Sequence, residues 1–121
     1  MISGIVSLLH ATVSVPLRLP NRPDVAIEFV IDTGFTDFLC LPPEVVSVLG
    51  LPFEYNMRVN LANNSNVAVR VHTATILWNS EELDIRVLAT GSRPLLGTAL
   101  LDGYELVVQF TEAGLVTIEE L

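Results

Sequence analysis

Phe29-Val30-Ile31-Asp32-Thr33-Gly34-Phe35-Thr36-Asp37-Phe38-Leu39 is the stretch on which the reading of this chain turns. Upstream of it, Val25, Ile27, Phe29 and Ile31 recur at period two, the pattern of a strand with one buried face, so the strand ends by delivering Asp32. An apolar β-branched run is an unusual approach to a carboxylate. Burying an ionised carboxylate without a partner costs on the order of several kcal/mol, comparable with the stability of a whole domain. A chain that places Asp32 there needs a partner for its charge. Gly34 is expected to permit a backbone turn that a residue with a Cβ resists. Taken alone, the triplet also fits an ordinary turn after a strand, because Asp, Thr and Gly are all common turn residues.

A second element lies far downstream, Pro94-Leu95-Leu96-Gly97-Thr98-Ala99-Leu100-Leu101, where two apolar residues run into a Gly and then a short helix-like stretch. Together the two segments resemble the retropepsin-like aspartic peptidases, in which a hydrophobic-hydrophobic-Asp-Thr-Gly loop is crossed by a hydrophobic-hydrophobic-Gly segment. The resemblance spans roughly residues 13–110. More narrowly, Asp32-Thr33-Gly34-Phe35-Thr36, with Leu39 and Leu41-Pro42 behind it, is similar to the small single-domain aspartic peptidases of bacteria and archaea. Two features depart from retroviral relatives: a bulky Phe35 follows the Gly, and the tip of the flap-like hairpin is rich in Asn and Ser.

The resemblance implies one all-β domain over residues 1–121, a closed retropepsin-like β-barrel with a flap hairpin and one or two short helices. It implies an aspartic endopeptidase with Asp32 as the catalytic group and no cofactor or metal. Thr33 would tie two such loops together, Gly34 would let a substrate backbone approach, and Phe35 and Thr36 would complete the loop. Leu61, Ala62, Asn63, Asn64, Ser65 and Asn66 would form a flap over an extended peptide or protein substrate, and Leu95 and Leu96 would pack beneath the loop. The chemistry needs two carboxylates sharing one proton, because like charges a few Å apart do not both ionise readily. This chain has one such triplet; Asp37, Asp84 and Asp102 lie in other contexts. A second copy of the chain would therefore supply the second Asp32, across a two-fold axis of a homodimer. Two other readings compete: a dimeric binding or scaffold module silenced by Phe35 or a closed flap, and an unrelated barrel with a chance triplet.

Composition sets the bounds around this reading. The 121 residues carry 14 acidic side chains against six Arg and no Lys, a formal net charge of -8. Such a field repels nucleic acid and keeps a protein soluble. No apolar run approaches a membrane span. The apolar start lacks the basic stretch and the small-residue cleavage site of a secretory signal, so it reads as a strand and a cytoplasmic location is expected. Cys40 is the single cysteine, which excludes an intrachain disulfide and a cysteine metal cluster. His10 and His72 lack metal-ligand spacing and read as ordinary strand residues.

The remaining pattern is that of many short strands with turns between them. Ala11, Val13, Val15, Leu17 and Leu19 alternate, 20–24 reads as a turn, and 38–41 as a short strand. Pro42-Pro43 at one end and Gly50 at the other predict a short helix over 42–50. Residues 57–62 and 67–77 predict a projecting hairpin around 63–66, 83–88 a further strand, and 106–110 with 115–118 a terminal hairpin. Both chain ends are apolar and strand-like, so 2–9 and 115–119 are expected at the dimer interface as unpaired edges.

Overall fold

The computed structural model describes residues 1–60 and 63–121. Alternation builds its first hairpins. Strand β1 (Ile2–Ser7) turns into β2 (His10–Leu19), and β2 into β3 (Arg22–Ile31). Opposite pairs such as Val13↔Phe29 and Val15↔Ile27 carry one face of β2 and β3 inward, while Ser14, Arg18 and Glu28 stay exposed. The turn predicted over 20–24 is tighter than expected, because Asn21 adopts a left-handed φ of 59° that Asn tolerates and the strand resumes at Arg22.

After β3 come β4 (Leu39–Leu41), α1 (Pro43–Leu49), β5 (Phe53–Asn60), β6 (Asn66–Trp78) and β7 (Glu81–Ala89). The chain then runs through β8 (Leu95–Leu96), α2 (Thr98–Leu101), β9 (Tyr104–Val108) and β10 (Leu115–Glu120). Helix α1 begins with Pro43 in its first turn, where the missing N–H costs nothing, and ends at Gly50 with φ 65°, whose N–H bonds the Ser47 carbonyl at 3.1 Å.

Six strands close a ring in the order β2-β3-β8-β4-β7-β6, which returns to β2 through Leu17↔Ile76 and Arg18↔Thr75. Phe29, Leu17, Leu39, Leu41, Ile76, Val87 and Leu96 fill it, with Val46 and Leu49 of α1 and Leu100 of α2 against one side. Each such side chain, fully withdrawn from water, contributes about 1.5–3 kcal/mol. Outside the ring, β1, β10 and β9 extend the sheet from β2 over a smaller cluster of Val6, Ala11 and Val116, and β5 extends it from β6. No helix among the described residues is long and apolar enough to cross a membrane.

One expectation changes. The terminal strands are not unpaired edges: β1 lies between β2 and β10, with Ile2↔Ile118 and Ile5↔Leu115, and the outermost strands are β5 and β9. The two ends of one chain satisfy each other's backbone, so edge pairing gives them no reason to seek a second copy. The short helix read after Gly97 is present as Thr98–Leu101, and Leu95 and Leu96 before it form strand β8. The predicted hairpin is present and longer than read, since β5 and β6 pair from Phe53↔His72 to Asn60↔Asn66. Of its tip, Leu61 and Ala62 lie outside the described residues, while Asn63, Asn64, Ser65 and Asn66 are exposed.

Candidate active site

Strands β3 and β4 do not pair with each other. Strand β8 is inserted between them, parallel to β3 through Val30↔Leu95 and Ile31↔Leu96, and antiparallel to β4 through Leu39↔Leu96 and Cys40↔Leu95. The loop 32–38 must therefore arch over the end of β8. Leu96 anchors this arrangement, being fully buried in the ring.

The backbone of the loop is tied down on both sides of its apex. The Asp32 N–H donates to the Leu96 carbonyl at 2.9 Å, the Gly97 N–H to the Phe38 carbonyl at 2.9 Å, and the Thr98 N–H to the Phe35 carbonyl at 2.8 Å. Ala99 adds an N–H to the Asp37 carbonyl at 3.3 Å. Such closeness is only open to glycine at position 97, where a Cβ would sit 2.1 Å from the Asp37 oxygen and 2.6 Å from the Phe35 oxygen. The hydrophobic-hydrophobic-Gly segment thus crosses beneath the loop, as the resemblance implied.

At the apex, the Gly34 N–H donates to Asp32 Oδ1 at 2.9 Å, and the Phe35 N–H to the Asp32 carbonyl at 3.1 Å. The carboxylate is oriented by its own turn and is partly buried, while Thr33, Gly34 and Thr36 are exposed. The φ of Gly34 is not positive. What it supplies is space, since a Cβ there would come within 3.2 Å of Asp32 Oδ1. The Phe35 ring packs toward Gly97, its Cδ2 2.7 Å from where a Gly97 Cβ would stand.

Asp32 and Thr33 line a cavity of about 390 Å³ together with His10, Val30, Ile31, Arg93 and Leu95. Phe35 is not among its walls. A larger cavity, about 650 Å³, lies elsewhere, bounded by Arg18, Glu54, Glu82 and Asp84 among others. Its one cation is already engaged by Glu82 and Asp24, and the Asp-Thr-Gly loop does not reach it. Of these two, the cavity beside Asp32 is the one that the Asp-Thr-Gly loop lines.

Two groups of this neighbourhood escaped the sequence. Asp37 holds the far side of the loop, its Oδ1 accepting from the Phe38 N–H at 2.8 Å and from Arg86 Nε at 3.0 Å; Arg86 in turn donates to the Tyr55 hydroxyl. The carboxylate and the phenol both push the Arg86 guanidinium further up. No local pattern announces a partner 49 residues away. His10, read as an ordinary strand residue, stands on the cavity wall with Arg93 Nη1 2.8 Å from its Nε2. His72 is structural as read, buried with Nδ1 2.9 Å from the Leu51 carbonyl. Among the described residues no group of three or more His, Cys, Asp or Glu is placed to hold a metal ion.

The chain as a whole is similar to a solved structure, a retropepsin-like aspartic protease from Rickettsia conorii, at 20% sequence identity and a TM-score of 0.59, over 99% of this chain and 90% of that one. The fold is retropepsin-like. No family model and no curated protein matches the sequence.

Proposed function

We propose that this protein is an aspartic endopeptidase that works as a homodimer, with Asp32 of each copy facing the other across a two-fold axis. The observation that carries the reading is the position of Asp32: a carboxylate at the apex of a loop locked by β8 and Gly97, with Oδ1 held by Gly34 and the cavity beside it open. A single carboxylate of this kind can take a proton or give one, but peptide hydrolysis asks for both at once.

In the dimer the two carboxylates share one proton. The ionised one takes a proton from water as the water oxygen bonds to the scissile carbonyl carbon. The protonated one gives its proton to the carbonyl oxygen, forming a neutral tetrahedral diol that then expels the amine after protonation of its nitrogen. Thr33, exposed at the apex, is free to bond across the axis, and Gly34 leaves room for the substrate backbone. The β5–β6 hairpin supplies the flap, with an extended peptide or protein segment beneath it. The net charge of -8 disfavours nucleic acid as a partner.

Digestion of a peptide library by wild type and Asp32→Asn at several pH values tests the proposal. Wild type is expected to cleave with a bell-shaped profile, falling on the acid side as both carboxylates protonate and on the alkaline side as both ionise. Asn keeps the Oδ1 acceptor for Gly34, so Asp32→Asn is expected to fold and dimerise yet leave the library intact. Equal cleavage by the two proteins overturns the assignment. Dimers without turnover in either protein favour the scaffold reading.

A further inference from the structure

We propose that Arg93, positioned by His10, selects substrates that carry a carboxylate close to the scissile bond. The inference rests on the peptidase reading in one respect, that an extended peptide occupies the cavity beside Asp32.

The chain is strongly acidic, and among the described residues two of its six arginines, Arg18 and Arg86, are ion-paired. Arg18 pairs with Asp24 and Glu82, Arg86 with Asp37, and Arg70 lies over the Phe53 ring at 4.0 Å. Among the described residues Arg93 has no carboxylate within ion-pair distance; its contact is the ring of His10. Arginine has only donors, so the 2.8 Å contact makes His10 Nε2 the acceptor and places the ring proton on Nδ1. One of five guanidinium N–H groups is used in this way, and the others remain open to a ligand that accepts.

The fold puts this pair beside the reactive group for a definite reason. Thr12 is opposite Val30 in the β2–β3 ladder, and two residues further along the same register His10 comes level with Asp32. Arg93 immediately precedes Pro94, whose carbonyl accepts the Val30 N–H at 3.0 Å. The turn that leads into His10 is fixed as well: the Leu8 N–H donates to Glu112, and Leu8 and Leu9 both hold left-handed φ angles of 51° and 67°. Val30 and Leu95 supply apolar walls to the cavity that Arg93 and Asp32 share. A planar fork of N–H donors on an apolar wall matches a carboxylate, and it disfavours a Lys or Arg side chain by like-charge repulsion.

The test uses end-blocked octapeptides that differ only by Glu, Gln or Lys at one position, with a parallel set bearing a free C-terminal carboxylate. Binding is measured on Asp32→Asn by calorimetry, and turnover on wild type. Glu peptides, or the free-terminus set, are expected to exceed their Gln or amidated counterparts by about tenfold or more, as a charge-assisted contact does. The responding set tells a side-chain carboxylate from a terminal one. Arg93→Gln is expected to bring that ratio to one, Arg93→Glu to turn it toward Lys, and Arg93→Lys to keep part of it. His10→Ala should lower the ratio without inverting it, as befits a positioning residue. A ratio of one in the wild-type background, or one that survives Arg93→Glu, overturns the inference whether or not peptides are cut. If Glu peptides bind selectively through Arg93 and nothing is cleaved, the peptidase reading falls and the carboxylate site stands. If Arg93→Gln instead weakens dimerisation and leaves the ratio unchanged, Arg93 serves a carboxylate of the second copy and the inference is wrong.

Discussion

The Asp32 loop and the β5–β6 hairpin are built on opposite plans. The loop, although irregular, spends its backbone groups on β8 and α2 through at least four hydrogen bonds and rests on buried Leu39 and Leu96. The outer part of the hairpin is far barer: in β5 only Met57 and Val59 are partly covered and Asn63 to Asn66 are all exposed, although β6 buries Val69 and Val71. Order in this protein therefore follows burial and tertiary bonding, not regularity of secondary structure. Local opening costs least where few apolar contacts are lost. The difference suits a site in which the carboxylate must stay in place while whatever covers it opens and closes.

The sharpest way to break the comparison is Gly97→Ala. The added Cβ meets backbone oxygens that have nowhere to go, so the substitution is expected to cost at least about 3 kcal/mol in denaturant unfolding, at the upper end for overpacking. Gly103→Ala is the control, with nothing within 4 Å of its Cβ but a φ of 85°, and should cost about 1 kcal/mol. Cys40 offers an independent readout. Burial pushes its thiol up, and Sγ donates to the Thr90 carbonyl, so native protein should label slowly with a thiol reagent at neutral pH and Gly97→Ala much faster.

A smaller effect is expected at Asp37. Asp37→Ala removes the acceptor for both the Phe38 N–H and Arg86, and should cost about 2 kcal/mol, most of it from the backbone bond since Arg86 is largely exposed. The smallest belongs to the hairpin. Asn63→Ala deletes only bonds within the exposed tip and should change stability by no more than about 0.5 kcal/mol. Hydrogen exchange sharpens the contrast: amides of residues 63–66 should exchange far faster than those of 25–31, and comparable protection in the two segments would remove the distinction.

Much of the fold was legible because its signals are local. Period-two alternation placed β2 and β3, Pro43 and Gly50 bracketed α1, and the Asn/Ser cluster marked the hairpin tip. The pairing of Asp32-Thr33-Gly34 with Leu95-Leu96-Gly97 was legible only through a known resemblance, since nothing in either segment specifies β8 as the strand between β3 and β4. The end strands were misjudged because apolar alternation reports a buried face and says nothing of which backbone edge is paired. Arg86 on Asp37 and Arg93 on His10 were invisible for a related reason: each joins residues 49 and 83 positions apart whose neighbours carry no matching pattern. At Gly34 the sequence indicated a place where a Cβ is resisted, and the physical reason, room beside the Asp32 carboxylate, needed the structure.

The central claim, that each of two copies contributes one Asp32, is tested most directly by mixing subunits. Wild type and Asp32→Asn are combined in varying proportion at fixed total concentration, dissociated and reassociated, and peptide cleavage is measured. If both carboxylates are needed, only wild-type pairs are active and the rate follows the square of the wild-type fraction, falling to about a quarter at equal proportions. A rate that stays proportional to the wild-type fraction would mean that each chain acts alone and would contradict the account.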